Sequence, residues 1–301
     1  MADRPPCEAG GVASPLLIAA AGRKARTLSG LRAALDRGRA YLAFQPVVDC
    51  ADPRTVLFHE ALFRIRDEAG HEVPAREFMP AAESEEIGRE VDRTALALAL
   101  RELAAAPGLR LSVNISARTV GDPGWMSRLR RAAARRPDVG ARLTVEMTES
   151  SAPLLPGLVL DVLAELRTFG VRIALDDFGT GHSSMGHLQD YRFDVLKIDG
   201  RFARGIEEDG DGRALLAPML GLARHFGMLA VVEHVETAAQ AEALRAMGAG
   251  GLQGYLYGRP TGCPAWRRDP RTPLRRAGAA RASASAAGQV HGAAALAAPR
   301  P

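Results

Sequence analysis

Hydrophobic and polar positions along the chain follow two different periods. Eight short runs are apolar or alternate apolar with polar residues, as strands do, and four longer segments place apolar residues at helical spacing. The strand-like runs, in chain order, are AYLAFQPVVD, VLFHEALFRI, LRLSVNIS, RLTVEMTE, VRIALDD, FDVLKID, LAVVEHVE and GLQGYLYG. The helical segments are REVDRTALALALRELAAA, LVLDVLAELRTFG, RALLAPMLGLARHFG and TAAQAEALRAMGAG. The last three end in glycine, as helices often do.

The order of these elements predicts the architecture. Strands that alternate with helices indicate parallel strands joined by crossover helices. Eight strands within roughly 230 residues favour an α/β fold of the TIM-like (β/α)8 barrel type. An open doubly wound sheet is the alternative, because periodicity does not show whether the sheet closes.

The two ends of the chain differ from its middle. Ser29 is the predicted N-cap of a short helix, GLRAALDRG, so residues 1–30 are assigned to a poorly ordered leader and 31–262 to the barrel. Beyond Gly262 the residues are mainly Ala, Arg, Pro, Ser and Gly, and we predict a disordered tail over 263–301. The segment GGVASPLLIAAAG is too short to span a membrane, which favours a cytoplasmic protein; a signal peptide is the alternative.

The net charge of +4 is unevenly distributed. Residues 261–301 contain seven arginines and one aspartate, a net charge of +6, so the rest of the chain sums to −2. The basic balance therefore belongs to the tail, which argues against nucleic acid as a partner of the barrel. The 3 cysteines are scattered and form no CxxC pair. That pattern is typical of a reducing compartment and argues against a thiolate zinc site.

Polar side chains at the C-terminal ends of the predicted strands are the main chemical feature. In a barrel of parallel strands these ends meet at one rim, where active sites form. A single such residue is more often a helix cap or a solvated charge. Their presence at seven consecutive strand ends favours one shared site. The residues are Glu60, Arg64, Asn114, Glu146, Asp176, Asp177, Lys197, Glu233, Glu236 and Gln253.

Carboxylates outnumber the cations in this set. Asp176 and Asp177 are adjacent and repel each other, and Lys197 and Arg64 offset two charges at most. Divalent cations would neutralise the excess. A ligand set of carboxylate and amide oxygens suits Mg²⁺ or Mn²⁺ better than zinc or copper. We therefore predict two such ions that share one carboxylate and hold a water between them.

Nine motifs in a fixed order carry a family resemblance. They are FQPVV, EAL at Glu60 to Leu62 followed by Arg64, FMPAAE, VNIS, EMTES, DDFGTGHSS, LKID, VEHVET and QGYLYGRP. Over about residues 31–260 the chain resembles the EAL-domain cyclic di-GMP phosphodiesterases. The resemblance implies a TIM-like barrel with one antiparallel strand. It also implies two Mg²⁺ or Mn²⁺ ions and hydrolysis of one phosphodiester bond of cyclic di-GMP to linear pGpG.

The resemblance also implies a role for each site residue. One metal ion would be held by Glu60, Asn114, Glu146 and Asp176. Asp176 would bridge to a second ion, which Asp177 and Glu233 also hold. Lys197 would orient the attacking water, with Gln253 and Glu236 nearby, while Arg64 would contact phosphate and Gln45 the substrate. Glu149 would hold the DDFGTG loop, which in the family couples the metal site to the interface of a homodimer.

Three positions depart from the family pattern. His234 stands where the family has glycine, and histidine tolerates a positive φ less well than glycine does. His182 and Met185 replace an aromatic residue and a leucine in the loop.

Two other functions compete with the phosphodiesterase. A catalytically silent cyclic di-GMP receptor is disfavoured because every expected metal ligand is present. A scaffold that recruits nucleic acid or an acidic partner through its tail is disfavoured because the tail has no aromatic residue beyond Trp266.

Overall fold

A computed structural model describes residues 15–148, 156–180, 185–208 and 210–268. The strands are β1 (Ala40–Asp49), β2 (Val56–Arg66), β3 (Glu72–Pro74), β4 (Leu111–Asn114), β5 (Leu143–Thr148), β6 (Arg172–Phe178), β7 (Val195–Ile198), β8 (Leu229–Val232) and β9 (Gly251–Gln253). The α-helices are α1 (Pro15–Asp36), α2 (Ala75–Ala82), α3 (Glu86–Ala105), α4 (Pro123–Arg135), α5 (Pro156–Thr168), α6 (Met185–Tyr191), α7 (Gly210–His225), α8 (Ala238–Met247) and α9 (Ala265–Arg268). Within these ranges, no helix has the length and apolar content needed to cross a bilayer.

Eight of the strands close into a barrel. Parallel pairing runs from β2 through β4, β5, β6, β7 and β8 to β9, and β1 joins the two ends by antiparallel pairing with both β2 and β9. The chain turns from β1 into β2 within the few residues after Asp49, too few for a crossover helix, so these two strands form an antiparallel hairpin. The predicted closed barrel is confirmed, with β1 as its antiparallel strand, and the open sheet is excluded.

A small apolar cluster fills the inside of the barrel. Its buried members are Val47, Phe58, Ala174, Val195 and Val231. The last four each lie two positions before a polar residue of the predicted site, namely Glu60, Asp176, Lys197 and Glu233. Because residues i and i+2 of a strand point to the same side, the polar side chains form a layer directly above the apolar one.

Glycines follow the helices as predicted, except that α8 is capped by Gly248 and not by Gly250. Gly170, Gly227 and Gly248 have φ values of 76°, 69° and 86°, and they follow α5, α7 and α8. The elements α2, α4, α6 and β3 were not predicted; β3, α6 and α2 have only three to eight residues, which give little periodicity to recognise.

The first helix begins earlier than the sequence suggested. It starts at Pro15, and Ser29 lies within it, so the prediction of an N-cap at Ser29 is wrong. Residues 15–28 are rich in Ala, Leu, Arg and Lys, which favour helix, and Leu31 and Ala34 anchor the helix in the core. Residues 15–30 of the predicted leader are therefore helical. Residues 1–14 lie outside the described residues.

The segment after the barrel packs against it. Trp266 is 9% exposed and its ring lies edge-on to Phe44 and His59, with centroid distances of 5.2 and 4.6 Å. Burial of an indole ring stabilises the ordered chain here, so the predicted disorder does not apply to residues 263–268. Residues 269–301 lie outside the described part of the chain.

Candidate active site

Lys197 lies at the centre of the polar layer, at the C-terminal ends of the parallel strands. Its side chain is 1% exposed, and its Nζ contacts one oxygen from each of four carboxylates on four different strands or strand ends. The distances are 3.3 Å to Glu60, 2.9 Å to Glu146, 3.0 Å to Asp176 and 2.8 Å to Glu233. A buried ammonium group is stable only when it is paired, and this lysine is surrounded by partners.

Side-chain amides hold Glu60 from the other side. Asn114 Nδ2 donates to Glu60 Oε1 at 3.0 Å, and Gln253 Nε2 donates to Glu60 Oε2 at 2.7 Å. Gln253 Nε2 also approaches Gln45 Oε1 at 3.3 Å, and Gln45 Nε2 donates to the carbonyl of Gly258 at 3.1 Å. These bonds fix the orientation of Glu60, and they leave Asn114 Oδ1 available as a ligand atom.

The carboxylates form two overlapping triads. Glu60, Glu146 and Asp176 offer oxygens within 4.8 Å of one another, and so do Asp176, Asp177 and Glu233. Asp176 belongs to both triads. Glu146 Oε1 is buried and accepts no hydrogen bond within 3.5 Å from a described group, although the Ser112 hydroxyl is near enough to lower the pKa of Glu146 slightly. A buried carboxylate oxygen without a partner is unfavourable unless a cation binds it, so the residues present fit divalent metal ions.

The pKa values of these carboxylates reflect their burial and, to a smaller extent, the like charges beside them. Burial raises the pKa of Glu146, Asp176 and Asp177, and neighbouring carboxylates raise these pKa values further. Burial also raises the pKa of Glu233 to about 8. The pKa of Glu60 is lowered, because Lys197 and the two amides outweigh the effect of its burial. One lysine is therefore insufficient for this number of carboxylates.

Two residues of the rim have left-handed backbone. Asp177, near the end of β6, has φ 57°, and His234, just after β8, has φ 55°. Asp177 directly follows Asp176, and His234 directly follows Glu233; both of these preceding residues belong to the triads. The backbone N–H of Asp177 donates to Asp176 Oδ1 at 3.1 Å, and this turn places both aspartates in the same cavity. His234, which stands where the family has glycine, thus occupies a position whose positive φ a glycine would adopt without strain.

The residues meet at a cavity of about 540 Å³. Of the twelve predicted site residues, nine line it: Gln45, Glu60, Arg64, Asp176, Asp177, Lys197, Glu233, Glu236 and Gln253. Asn114 and Glu146 contact the lining residues from below. Glu149 lies outside the described residues.

Arg64 lines the cavity but forms its ion pair outside the carboxylate cluster. It lines the cavity, but its Nε lies 3.4 Å from Glu72, and its Nη1 donates to the carbonyl of Phe63. Glu72 lies on β3, which pairs with the end of β2 beyond the barrel. Among the described residues Arg64 thus forms its ion pair with Glu72 and none with a carboxylate of the cluster, and its contact with phosphate stays a prediction.

Comparison with known families decides the assignment. The family model described as the EAL domain matches residues 29–260. The chain belongs to the EAL domain family.

Two relatives illustrate how similar known proteins are to this EAL domain. The bifunctional diguanylate cyclase/cyclic di-GMP phosphodiesterase MucR of Pseudomonas aeruginosa is 33% identical over 238 residues, which cover 77% of this chain and 35% of the relative. The cyclic di-GMP phosphodiesterase PdeF of Escherichia coli is 30% identical over 241 residues, which cover 79% of this chain and 32% of the relative. The match thus spans about a third of the length of these relatives.

Solved structures share the fold. A structure described as the PaMucR phosphodiesterase in complex with c-di-GMP has a TM-score of 0.73 and 32% identity, covering 81% of this chain and 99% of the other. The FimX EAL domain from Pseudomonas aeruginosa bound to c-di-GMP has a TM-score of 0.71 and 26% identity, covering 78% and 96% of the two chains.

Several residues that line the EAL cavity were missed by sequence reasoning, and two of them have large polar side chains. Arg76, in the first turn of α2, and Tyr255, after β9, both line it. Arg76 reaches the cavity because β3 folds back on β2, a contact that no local pattern predicts. Tyr255 lies within the quoted motif QGYLYGRP, so its position in that motif was an available signal.

Proposed function

We propose that this EAL domain hydrolyses one phosphodiester bond of cyclic di-GMP, giving linear pGpG, with the help of two Mg²⁺ or Mn²⁺ ions. The observation that carries the proposal is the pair of carboxylate triads that share Asp176 inside one cavity. The names of MucR and PdeF support cyclic di-GMP as the substrate.

The ions would be held by the two triads. Glu60, Glu146 and Asp176, with Asn114 Oδ1 beside them, would hold one ion, and Asp176, Asp177 and Glu233 the other. All of these donors are oxygens, the ligands that Mg²⁺ and Mn²⁺ prefer. When bound, the ions lower the pKa of a coordinated water from about 15.7 towards 7 and offset charge on the phosphate.

The other residues of the cavity would position the reactants. Lys197 Nζ lies among the carboxylates of both triads, so it would hold the attacking water by a hydrogen bond. Gln253 keeps Glu60 oriented through its amide, and Glu236 lies at the exposed rim, where it would accept a proton. Arg64 and Gln45 would contact the substrate from the β1–β2 side of the cavity.

The decisive experiment is a Mg²⁺-dependent assay on the purified chain with the product identified. We expect linear pGpG to form, and the Glu60→Ala variant to lose at least about a hundredfold in rate. Glu242→Ala, which removes an exposed glutamate on α8, is the matched control and should keep full activity. Tight binding of cyclic di-GMP without any hydrolysis would identify the chain as a receptor and overturn the proposal.

A homodimer through the region of residues 176–181 and a cytoplasmic location also stay predictions. Sedimentation with and without cyclic di-GMP measures the first, and fractionation of cells that express the chain measures the second.

A further inference from the structure

One arginine of the active-site cavity has no counterion among the described residues. Arg76 lies in the first turn of α2, is exposed, and lines the cavity that contains the carboxylate triads. The two other lysine and arginine side chains that line this cavity are both paired, Lys197 with four carboxylates and Arg64 with Glu72. Within the described chain, Arg76 is therefore the lining cation that is left free to bind an anion.

Glu72 lies on β3, close to Arg76 along the chain, yet both of its carboxylate oxygens are engaged elsewhere. Arg64 Nε lies 3.4 Å from Oε1, and the Tyr41 hydroxyl donates a hydrogen bond to Oε2. These two contacts hold the Glu72 carboxylate on the β1–β2 hairpin. It consequently does not offset the charge of Arg76.

Backbone pairing fixes where Arg76 lies relative to the triads. Arg64 pairs with Pro74 across β2 and β3, and Arg76 follows Pro74 by two residues. Arg64 in turn lies four residues beyond Glu60 on β2, which is about 13 Å along an extended strand. Glu60, Arg64 and Arg76 all line the same cavity. The free guanidinium group therefore belongs to the outer wall of the cavity, beyond the level of the triads.

The charge balance of the metal-loaded site leaves a phosphate without a partner. The five carboxylates of the two triads carry five negative charges, which the two proposed divalent ions and Lys197 balance. A cyclic dinucleotide brings two further negative charges, one on each phosphate. The phosphate that is cleaved would lie at the ions. The other phosphate needs a cation elsewhere in the cavity, because a charged group removed from water without a partner is unfavourable.

We propose that Arg76 binds the second phosphate of cyclic di-GMP, the one that is not cleaved, and so favours a dinucleotide over ligands with a single phosphate. This inference rests on the proposed function and adds a substrate contact to it. The planar guanidinium group would pair with two phosphate oxygens through parallel N–H···O bonds.

Calorimetric titration of the full chain in MgCl2 tests the proposal with the linear dinucleotide pdGpdG, which keeps both phosphates and lacks the bond that is cleaved. The matched probe is the same dinucleotide with a neutral methylphosphonate as its internal linkage. Arg76→Ala should bind pdGpdG at least about tenfold more weakly than the unmodified chain does, and should bind the methylphosphonate equally well. Because Arg76 is exposed and alanine favours helix, this variant should fold.

Two further variants separate the contact from a general effect of charge. Arg128→Ala removes an exposed arginine from α4 and should bind both probes like the unmodified chain. Arg76→Lys keeps the charge and should recover part of the lost affinity for pdGpdG. With cyclic di-GMP as substrate, Arg76→Ala should raise KM at least about tenfold and change kcat by less than about twofold, since Arg76 lies away from the bond that is cleaved.

The outcomes distinguish this inference from the proposed function. An equal loss of affinity for both probes would mean that Arg76 contacts a base, and it overturns the inference, as do an unchanged affinity for pdGpdG and a failure of the unmodified chain to bind it. A chain that shows the predicted difference between the probes but hydrolyses no cyclic di-GMP overturns the proposed function and leaves the phosphate contact of Arg76 in place.

Discussion

His234 packs directly against the backbone of Gly200. A methyl group placed on the Cα of Gly200 would lie 2.3 Å from His234 Cβ and 2.6 Å from His234 Nδ1, closer than real contacts allow. His234 itself has φ 55°. The histidine therefore combines an unfavourable backbone conformation with a contact that only glycine at position 200 permits.

This contact predicts a coupling between the two positions. Gly200→Ala should lower the free energy of unfolding by about 2 kcal/mol, because the added methyl group must displace the histidine. In a His234→Gly background the same change should be close to neutral. Urea denaturation of the single and double variants gives the coupling energy, and strictly additive effects would contradict the contact.

The left-handed backbone at His234 gives a separate prediction. His234→Gly should raise the free energy of unfolding by about 1 kcal/mol, because glycine adopts a positive φ without steric strain. His234→Ala is the control, since it removes the ring and keeps the strain. The two variants should differ in thermal denaturation; equal stability would show that the backbone there is not strained.

Asp176 belongs to both carboxylate triads, and this predicts how metal ions stabilise the protein. A divalent ion at about a hundred times its dissociation constant stabilises the fold by about 2.7 kcal/mol, so Mg²⁺ or Mn²⁺ should raise the Tm by several degrees. Glu146→Gln and Glu233→Gln should each lose part of this gain. Asp176→Asn should lose most of it, because Asp176 belongs to both triads.

Scanning fluorimetry with MnCl2 and with EDTA measures these differences. Glu242→Gln, on the exposed face of α8, is the control and should respond like the unmodified chain. A full metal response in Asp176→Asn would show that the ions bind elsewhere.

The raised carboxylate pKa values predict the pH dependence of the metal-free protein. Burial raises the pKa of Glu233 from 4.5 to about 8, so the folded state holds this proton more tightly than the unfolded state does. The free energy of unfolding should therefore fall as the pH rises from about 5 to 8. A pKa difference of one is worth about 1.4 kcal/mol, so the fall should exceed about 1 kcal/mol.

Urea denaturation in EDTA at several pH values measures this fall. Glu233→Gln should show a shallower dependence, because glutamine does not titrate. Added Mg²⁺ should also flatten the curve by favouring the charged carboxylates. A metal-free protein that gains stability between pH 5 and 8 would contradict the raised pKa of Glu233.

Asp122 supports the fold away from the site. It caps α4 by accepting a hydrogen bond from the N–H of Trp125 at 2.7 Å, and it pairs with Arg93 through both carboxylate oxygens. The hydrogen bonds from Arg93 lower the pKa of Asp122, so this contribution is lost as the pH falls through the lowered value. Asp122→Ala should cost about 2 kcal/mol.

Asp122→Ser separates the two interactions, because serine still caps a helix but does not pair with Arg93. It should lose less stability than Asp122→Ala in urea denaturation at pH 7. If the two variants unfold at the same urea concentration, the cap contributes nothing.

The sequence by itself determined the order of strands and helices and the composition of the polar layer. Both follow from the residue pattern within single segments, without contacts between distant residues. Strand periodicity puts Phe58 and Glu60, or Ala174 and Asp176, on the same side, and the structure shows the resulting polar layer above the apolar one. The motif resemblance also implied two overlapping ligand sets, whose carboxylates the structure brings together, and marked His234 as a position where φ mattered.

The tertiary structure alone decided what depends on contacts between distant residues. Gln45 and Gly258 are 213 positions apart, and their hydrogen bond exists only because β1 closes the barrel in the antiparallel sense. The packing of Trp266 on His59 also joins residues far apart in the sequence, whereas the pairing of Arg64 with Glu72 and the entry of Arg76 into the cavity depend on how β3 folds back on β2. Such contacts follow from the relative placement of whole elements, which hydrophobic period and residue spacing do not encode.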